Sequence, residues 1–456
     1  LLDEKLALIK ETEMKNKATP RLELPEISRI GFGGHLTSVK NKTHHEALEY
    51  ALLTGCNLLD TSANYMKGES EELIGAVLQQ TQLPAFVVTK SGYHQAERRK
   101  LQSLLDKVSS NLLHPDFLSN RISVSRSRLN GQIDAYLLHN PEHYYTHQPA
   151  QPQQEEFYSR IKFAFEFLEQ EVQEKTIRYY GISSNTFPLS TEDEKVIRLK
   201  RIMEIANSVS TSHHFRFIEF PFNLAETEAL LPLQQGTSLL NLAQEYNLTT
   251  FCNRPLNAYV AEGALRLAYY PSPADQWEDL DPESDSHYFE DVLELLRKEL
   301  RSQGEDTDIM EFLIVKKLQE SWMHIGNPQG VTELFDEYFF PFVKEVYGRR
   351  IPSKDRLVFG RFYQKASHYA AHEMHERTRR YQLTWIDQGL LDPHDRRSLP
   401  LQACDYYLRS GIGHVLLGMR NKNYVTEMKN LFPPSSSTSS MTNKTIPVTD
   451  GVDVRK

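Results

Sequence analysis

From residue 27 onward, short apolar runs alternate with longer stretches whose apolar positions recur at helical spacing. ISRIGFGG (27–34) reads as a strand meeting a glycine turn, and HHEALEYALLTG after it has helical spacing and a glycine stop. NLLD and SEELIGAVLQQ make the next such pair. AFVVTK (85–90) is short and β-branched, and the basic stretch ERRKLQSLLDKVSSNLL that follows has helical character. IDAYLLHN (133–140) supplies a fourth strand, and the helix after it carries Phe157, Ile161, Phe165, Leu168 and Val172 on one face. RYYGIS, FRFIEF and LTTFCN read as three more strands, separated by VIRLKRIMEIANSV and SLLNLAQEY. HVLLGM (414–419) is the eighth. Eight strands, each followed by helical sequence, predict parallel βα units. Closing them into a (β/α)8 TIM barrel, an α/β fold, buries every strand.

One interval breaks the rhythm. Strands seven and eight are separated by about 160 residues, far more than the few-residue loops of α/β units. EDVLELLRKEL, DIMEFLIVKKLQESW, VTELFDEYFFPFVKEVY and HYAAHEMHERTRRYQLTW within it are helical in character. The chain therefore divides into an N-terminal extension (1–26), barrel strands one to seven (27–262), a helical insertion at the functional rim (263–393), barrel helix seven with strand and helix eight (394–432), and a Ser/Thr-rich tail (433–456) expected to be disordered.

Composition narrows the function. A formal net charge of −9 argues against a nucleic-acid surface. No apolar run is long enough to suggest a membrane span. Cys56, Cys252 and Cys404 are scattered and odd in number, which favours a reducing compartment over a disulfide framework. The expected location is cytoplasmic, or organellar if a targeting peptide was removed.

In a βα barrel, chemistry sits at the carboxyl ends of the strands. Asp60, Tyr65, Lys90 and His139 fall at or just beyond such ends. Each alone has an ordinary reading: a strand-capping lysine, a rim imidazole, a helix N-cap. Together they make a proton-relay set. A phenol with a pKa near ~10 donates poorly to a neutral carbonyl, and a buried ammonium at Lys90 would lower that pKa. Asp60 would keep the ammonium charged, and His139 would polarise the substrate oxygen. Such a site needs a hydride donor.

LLDTSANYMKGESEELIG, VVTKSGY and DAYLLHNP carry these four residues, and the chain resembles the aldo-keto reductase superfamily over about 27–260 and 398–431. The resemblance implies a barrel of NAD(P)H-dependent carbonyl reductases, with Asp60, Tyr65, Lys90 and His139 as the catalytic tetrad. It also implies cofactor contacts. YYGISSNTF offers Ser183, then Ser184 or Asn185, for the nicotinamide carboxamide. Glu219 stands where a carboxamide-binding glutamine is common, and Asn253 where a ring often stacks on the nicotinamide. Arg254 and Leu256 fit a pyrophosphate loop, Gly33 a tight turn allowing close backbone approach. Gly418, Arg420 and Lys422 suit the adenosine phosphate, with Tyr424 where arginine often selects the 2′-phosphate. NADP(H) is the implied preference, with NAD(H) possible, and no metal is required.

Three features carry less: a histidine trio, the GFGG turn, which is too short for a dinucleotide fingerprint, and an aromatic cluster. His368, His372 and His375 have ligand-like spacing but lack the HExxH pattern or a carboxylate partner, so metal is not expected. Tyr338, Phe339, Phe340 and Phe342 read as a local helical core. Tyr144 and Tyr145, beyond His139, are placed to line a substrate mouth. The reading is an oxidoreductase acting on a small carbonyl or alcohol, with the 263–393 insertion as the surface for any protein partner or oligomer contact. The alternative is a nicotinamide-binding redox sensor or scaffold barrel with little turnover, motivated by the insertion and by Glu219 and Asn253. A barrel unrelated to reductases, with a phosphate-binding rim, is a third reading.

Overall fold

Every one of the eight predicted apolar runs becomes a strand in the computed structural model, which describes residues 24–92, 113–146, 154–192, 195–234, 236–268, 280–305, 308–348 and 350–433. The strands are β1 (Ile30–Gly33), β2 (Leu58–Asp60), β3 (Phe86–Gly92), β4 (Ala135–His139), β5 (Tyr179–Ser183), β6 (Phe215–Pro221) and β7 (Thr249–Asn253). Two further strands, β8 (Asn257–Val260) and β9 (Gly263–Arg266), precede β10 (His414–Leu417). Parallel pairing in the order β1-β10-β7-β6-β5-β4-β3-β2 closes the barrel. Nearly all of the extension, most of ERRKLQSLLDKVSSNLL and the tail beyond Pro433 lie outside the described residues. Among those that are described, no helix is long and apolar enough to cross a membrane.

The chain forms two compact units. One runs to Pro255 and resumes at Leu401; the other is Leu256–Pro400. In the first, the barrel interior is filled by side chains including Leu58, Phe86, Val88, Leu137, Phe217, Phe251 and Leu416. The Phe217 and Phe251 rings stack at 5.1 Å. Large apolar groups pointing inward from adjacent strands make this a packed core and leave the chemistry to the rim. Outside, the helix Gln154–Gln173 buries Phe157, Ile161, Phe165 and Leu168, as its periodicity predicts. Helix Lys42–Leu53 begins where the Asn41 side chain accepts the Thr43 N–H at 2.9 Å.

The second unit is not purely helical. Strands β8 and β9 pair antiparallel as a hairpin. The 35-residue helix Ser353–Asp387 holds it: the Thr378 hydroxyl donates to the Arg266 carbonyl at 2.7 Å, and the Arg266 N–H donates to Met374 Sδ at 3.3 Å. An aromatic core of Phe289, Trp322, Phe335, Phe339, Phe359 and Phe362 fills the unit. The expected four-residue aromatic core is corrected in one member: Phe339 is buried and Phe340 and Phe342 pack against the core, but Tyr338 is 59% exposed. A π-helical turn over Phe335–Phe339 is the reason, since an extra residue per turn rotates the following side chains out of phase. His368, His372 and His375 lie on the helix Ser353–Asp387.

Candidate active site

Strand register builds the site. Neighbouring parallel strands place Gly33 opposite Asp60, Gly92 opposite His139, His139 opposite Ser183, and Ser183 opposite Glu219. Residues from six strands therefore meet at one rim, and four of them, Asp60, His139, Ser183 and Glu219, are polar. The close approach of β3 to β4 needs glycine at one point: a Cβ on Gly92 would stand 2.1 Å from the His139 carbonyl oxygen.

The Tyr65 loop is pinned to β3. Thr61 N–H donates to the Val88 carbonyl at 2.9 Å and Ala63 N–H to the Lys90 carbonyl at 3.0 Å. Tyr65 then opens a short 3-10 turn in which Met66 and Lys67 hold left-handed backbone angles, φ 49° and 60°. Such angles are uncommon outside glycine and persist only where surrounding contacts fix them. The Gly-x-Ser-Glu stretch supplies some of that fixing. Ser70 Oγ donates to the Gly34 carbonyl at 2.9 Å, and buried Glu71 pairs with Arg128 at 3.0 Å while accepting the Thr89 hydroxyl at 2.7 Å.

At the centre is Lys90, fully buried. Its ammonium donates to Asp60 Oδ1 and to the Thr61 carbonyl at 3.3 Å, and lies 3.1 Å from Glu219 Oε2. The same nitrogen is 5.5 Å from the centre of the Tyr65 ring. Tyr65 also stands edge-on to the His139 imidazole, which has Ser62 Oγ at 3.2 Å from its Nδ1. Asp60, Tyr65, Lys90 and His139 are thus brought together.

Charge balance in this cluster differs from the simple expectation. Burial lowers the Lys90 pKa, but Asp60 and Glu219 outweigh it and the net shift is upward. For Asp60 burial dominates: its carboxyl is pushed up to about 7, Lys90 pulling down and Glu219 pushing up. Burial also pushes the Tyr65 phenol well above its ordinary value, against the pull of Lys90, and both carboxylates push it further. The phenol is raised, not lowered, chiefly because it is buried, and the two carboxylates that share the one ammonium add to the shift.

The cofactor candidates separate into two groups. Ser183 Oγ and Asn253 Oδ1 are buried and take no hydrogen bond, and Glu219 Oε2 meets Lys90 only as an ion pair. Glu219 Oε1 accepts from Asn253 Nδ2 at 3.0 Å. Orphaned buried polar atoms on three adjacent strand ends fit a ligand carrying both amide N–H and carbonyl groups. Ser184 is buried with its hydroxyl 3.1 Å from that of Thr186, whereas Asn185 is exposed and reaches Asn140 at 3.3 Å. Arg254 pairs with Glu226 at 2.8 Å, and Lys422 lies 3.5 Å from Glu46. Gly418 and Arg420 are exposed, and no atom would crowd a Cβ on Gly418. Gly33 has the Leu417 backbone 3.3 Å from where its Cβ would be. Leu256 opens the second unit, buried, its carbonyl accepting the Leu267 N–H at 3.0 Å. The Tyr144 ring packs under the Arg160 guanidinium at 4.9 Å and beside Phe157, so it is tied to the helix Gln154–Gln173. The Tyr145 side chain lies outside the described residues.

Sequence reasoning missed His35 and Glu142. The His35 ring stands edge-on to Tyr65 at 5.2 Å, and burial, helped by the charges of Arg420 and Lys90, holds its pKa down. Its position directly after the glycines of β1 was the available signal. Glu142 is buried on the turn after His139, accepts the Asn185 N–H at 2.8 Å, and is pushed up to about 7 by burial. No local pattern distinguishes it from a surface glutamate.

The Aldo/keto reductase family model matches residues 29–307, which takes in β1 to β9 and part of the second unit. Solved structures are more distant. An aldo/keto reductase from Klebsiella pneumoniae, in complex with NADP and acetate, is 20% identical with a TM-score of 0.35, over 50% of this chain and 65% of that one. An aldo-keto reductase from Bacillus halodurans in its holo form is 21% identical with a TM-score of 0.35, over 54% and 67%. The glycerol dehydrogenase of Gluconobacter oxydans is 20% identical with a TM-score of 0.36, over 75% and 93%. No curated protein matches the chain.

Proposed function

The chain belongs to the aldo/keto reductase family, and on that premise we propose that it is a nicotinamide-dependent oxidoreductase interconverting a small carbonyl compound and its alcohol, with Tyr65 as proton donor. The observation that carries this reading is the buried Lys90 ammonium, held by Asp60 and lying 5.5 Å from the centre of the Tyr65 ring. Reduction of a carbonyl leaves a developing alkoxide. A phenol beside an ammonium can protonate it, because the positive charge stabilises the phenolate left behind. Asp60 keeps Lys90 charged and aimed. His139, edge-on to Tyr65, orients the substrate oxygen. The alkoxide charge is met by donors already in place, so little reorganisation is needed at the moment of transfer.

The nicotinamide, when bound, supplies the hydride. Ser183, Glu219 and Asn253 are the residues that would hold its carboxamide, with Ser184 and Asn185 beside them. The backbone after Gly418 and the Arg420 guanidinium would take the phosphate end, NADP(H) before NAD(H). The test is NADPH consumption over a panel of aldehydes and ketones, with cofactor binding measured alongside. Oxidation with at least one carbonyl supports the reductase; tight binding with no oxidation by any of them replaces it with a nicotinamide-sensing barrel.

A further inference from the structure

Lys90 neutralises one carboxylate and is offered two. Asp60 takes its hydrogen bond; Glu219 Oε2 stands 3.1 Å away as an ion pair with no hydrogen bond of its own. All three side chains are buried. The other Glu219 oxygen is occupied by Asn253 Nδ2. Register sets Glu219 between Ser183 on β5 and Phe251 on β7, so its carboxylate sits in the row of orphaned acceptors at the ends of β5, β6 and β7. The cations outside the cluster contribute little here: Arg420 is exposed and Arg254 is paired with Glu226. Above about pH 7, where Asp60 has lost its proton, this buried set of one ammonium and two carboxylates therefore carries a surplus negative charge that water does not screen.

We propose that Glu219 makes this site discriminate by charge between the two redox forms of nicotinamide, holding the cationic oxidised ring more tightly than the neutral reduced ring. The inference rests on the nicotinamide-binding reading above. A neutral glutamine side chain has nearly the same shape and could still meet a carboxamide, but it carries no charge to make this distinction. Hydride departure takes two electrons and a hydrogen nucleus from the ring to the carbonyl carbon, leaving one positive charge on the ring; the carbonyl oxygen takes the Tyr65 proton, and solvent restores that proton. Glu219 forms and breaks no bond. Tighter holding of the oxidised form lowers the potential of the bound couple by about 30 mV for each tenfold of preference, which makes the bound reduced cofactor a stronger hydride donor and slows release of the oxidised one.

The test is calorimetric titration of the full chain with NADP+, NADPH, NAD+ and NADH at pH 8.5, above the value of about 7 to which burial pushes Asp60. Wild type is compared with Glu219→Gln and Glu219→Asp. The expected wild-type ratio of reduced to oxidised Kd exceeds one within both cofactor pairs. Glu219→Gln is expected to lower that ratio by about tenfold, from loss of a unit charge at close range, while Glu219→Asp keeps most of it. Binding of both forms with a ratio that Glu219→Gln leaves unchanged overturns the inference and leaves the reductase reading standing. Binding of no nicotinamide at all overturns both. If Glu219→Gln fails to fold, the wild-type ratio decides alone, and a value of one or less sinks the proposal.

Discussion

The Tyr65 ring faces the His139 imidazole edge-on, with centroids 6.1 Å apart and planes at 84°, and the His35 imidazole meets the same ring at 5.2 Å and 80°. Edge-to-face contact suits the quadrupole of each ring and restricts rotation of the phenol. Two such contacts, added to the left-handed turn at Met66 and Lys67, hold the hydroxyl where Lys90 can act on it. Orientation here is built from three separate segments, the ends of β1 and β4 and the loop after β2.

Tyr65→Phe removes the transferable proton and keeps the ring contacts. Turnover is expected to fall by about 10²- to 10⁴-fold, with cofactor affinity nearly intact. Steady-state kinetics and calorimetry on the same preparation check it. Comparable turnover in the variant ends the role assigned to Tyr65.

Lys90→Met leaves Asp60 and Glu219 buried without a counter-charge. The expected cost is about 3–5 kcal/mol of folding stability, read by urea denaturation at pH 8. Adding Asp60→Asn and Glu219→Gln to that variant should recover most of it, because the unpaired charges are then gone. A single variant as stable as wild type would mean the three groups are not coupled.

Asp60 gives a pH dependence of defined sign. Its folded carboxyl holds a proton up to about 7, above the usual carboxylate range, so between roughly pH 4 and 7 the folded state binds a proton that the unfolded state has released. Its contribution to stability falls as pH rises through that window and is level above it. His414, pushed down to about 4 by burial, acts oppositely: its contribution is complete above the ordinary histidine range and is lost as pH falls toward 4. Comparing wild type with Asp60→Asn isolates the carboxylate. The variant should lack the decline between roughly pH 4 and 7, and an identical slope in both proteins rejects the assignment.

Phe362 is the hub of the second unit, its ring 5.2 Å from Trp322, 5.3 Å from Phe335 and 5.6 Å from Phe289. Phe362→Ala is expected to cost about 3–5 kcal/mol in the unfolding transition of that unit, followed by tryptophan fluorescence. Loss of less than about 1 kcal/mol would mean the cluster repacks around the gap.

Much of this was legible in the chain because parallel strands buried on both faces read as short, uninterrupted apolar runs. FVVTK and AYLLH announce both the strand and the polar group at its end. What escaped depends on neighbours remote in sequence. Lys90 and Glu219 lie on β3 and β6, which are not paired, so their ion pair arises only from barrel closure. The raised phenol follows mainly from burial, with that same third charge adding to it. The hairpin β8–β9 was missed because it is short and buries little beyond Ala258 and Leu265, with Tyr259 exposed. Tyr338 was misplaced because a π-turn breaks the helical period on which the reading depended.

Barrel closure also has a timetable. β10 pairs with both β1 and β7, yet about 160 residues separate the end of β7 from its start. At ribosomal speeds that interval lasts on the order of ten seconds or more, during which seven finished strands present two naked edges to the cell, each a template for pairing with another chain. Both edges are covered only when the last strand emerges and pairs with β1 and β7.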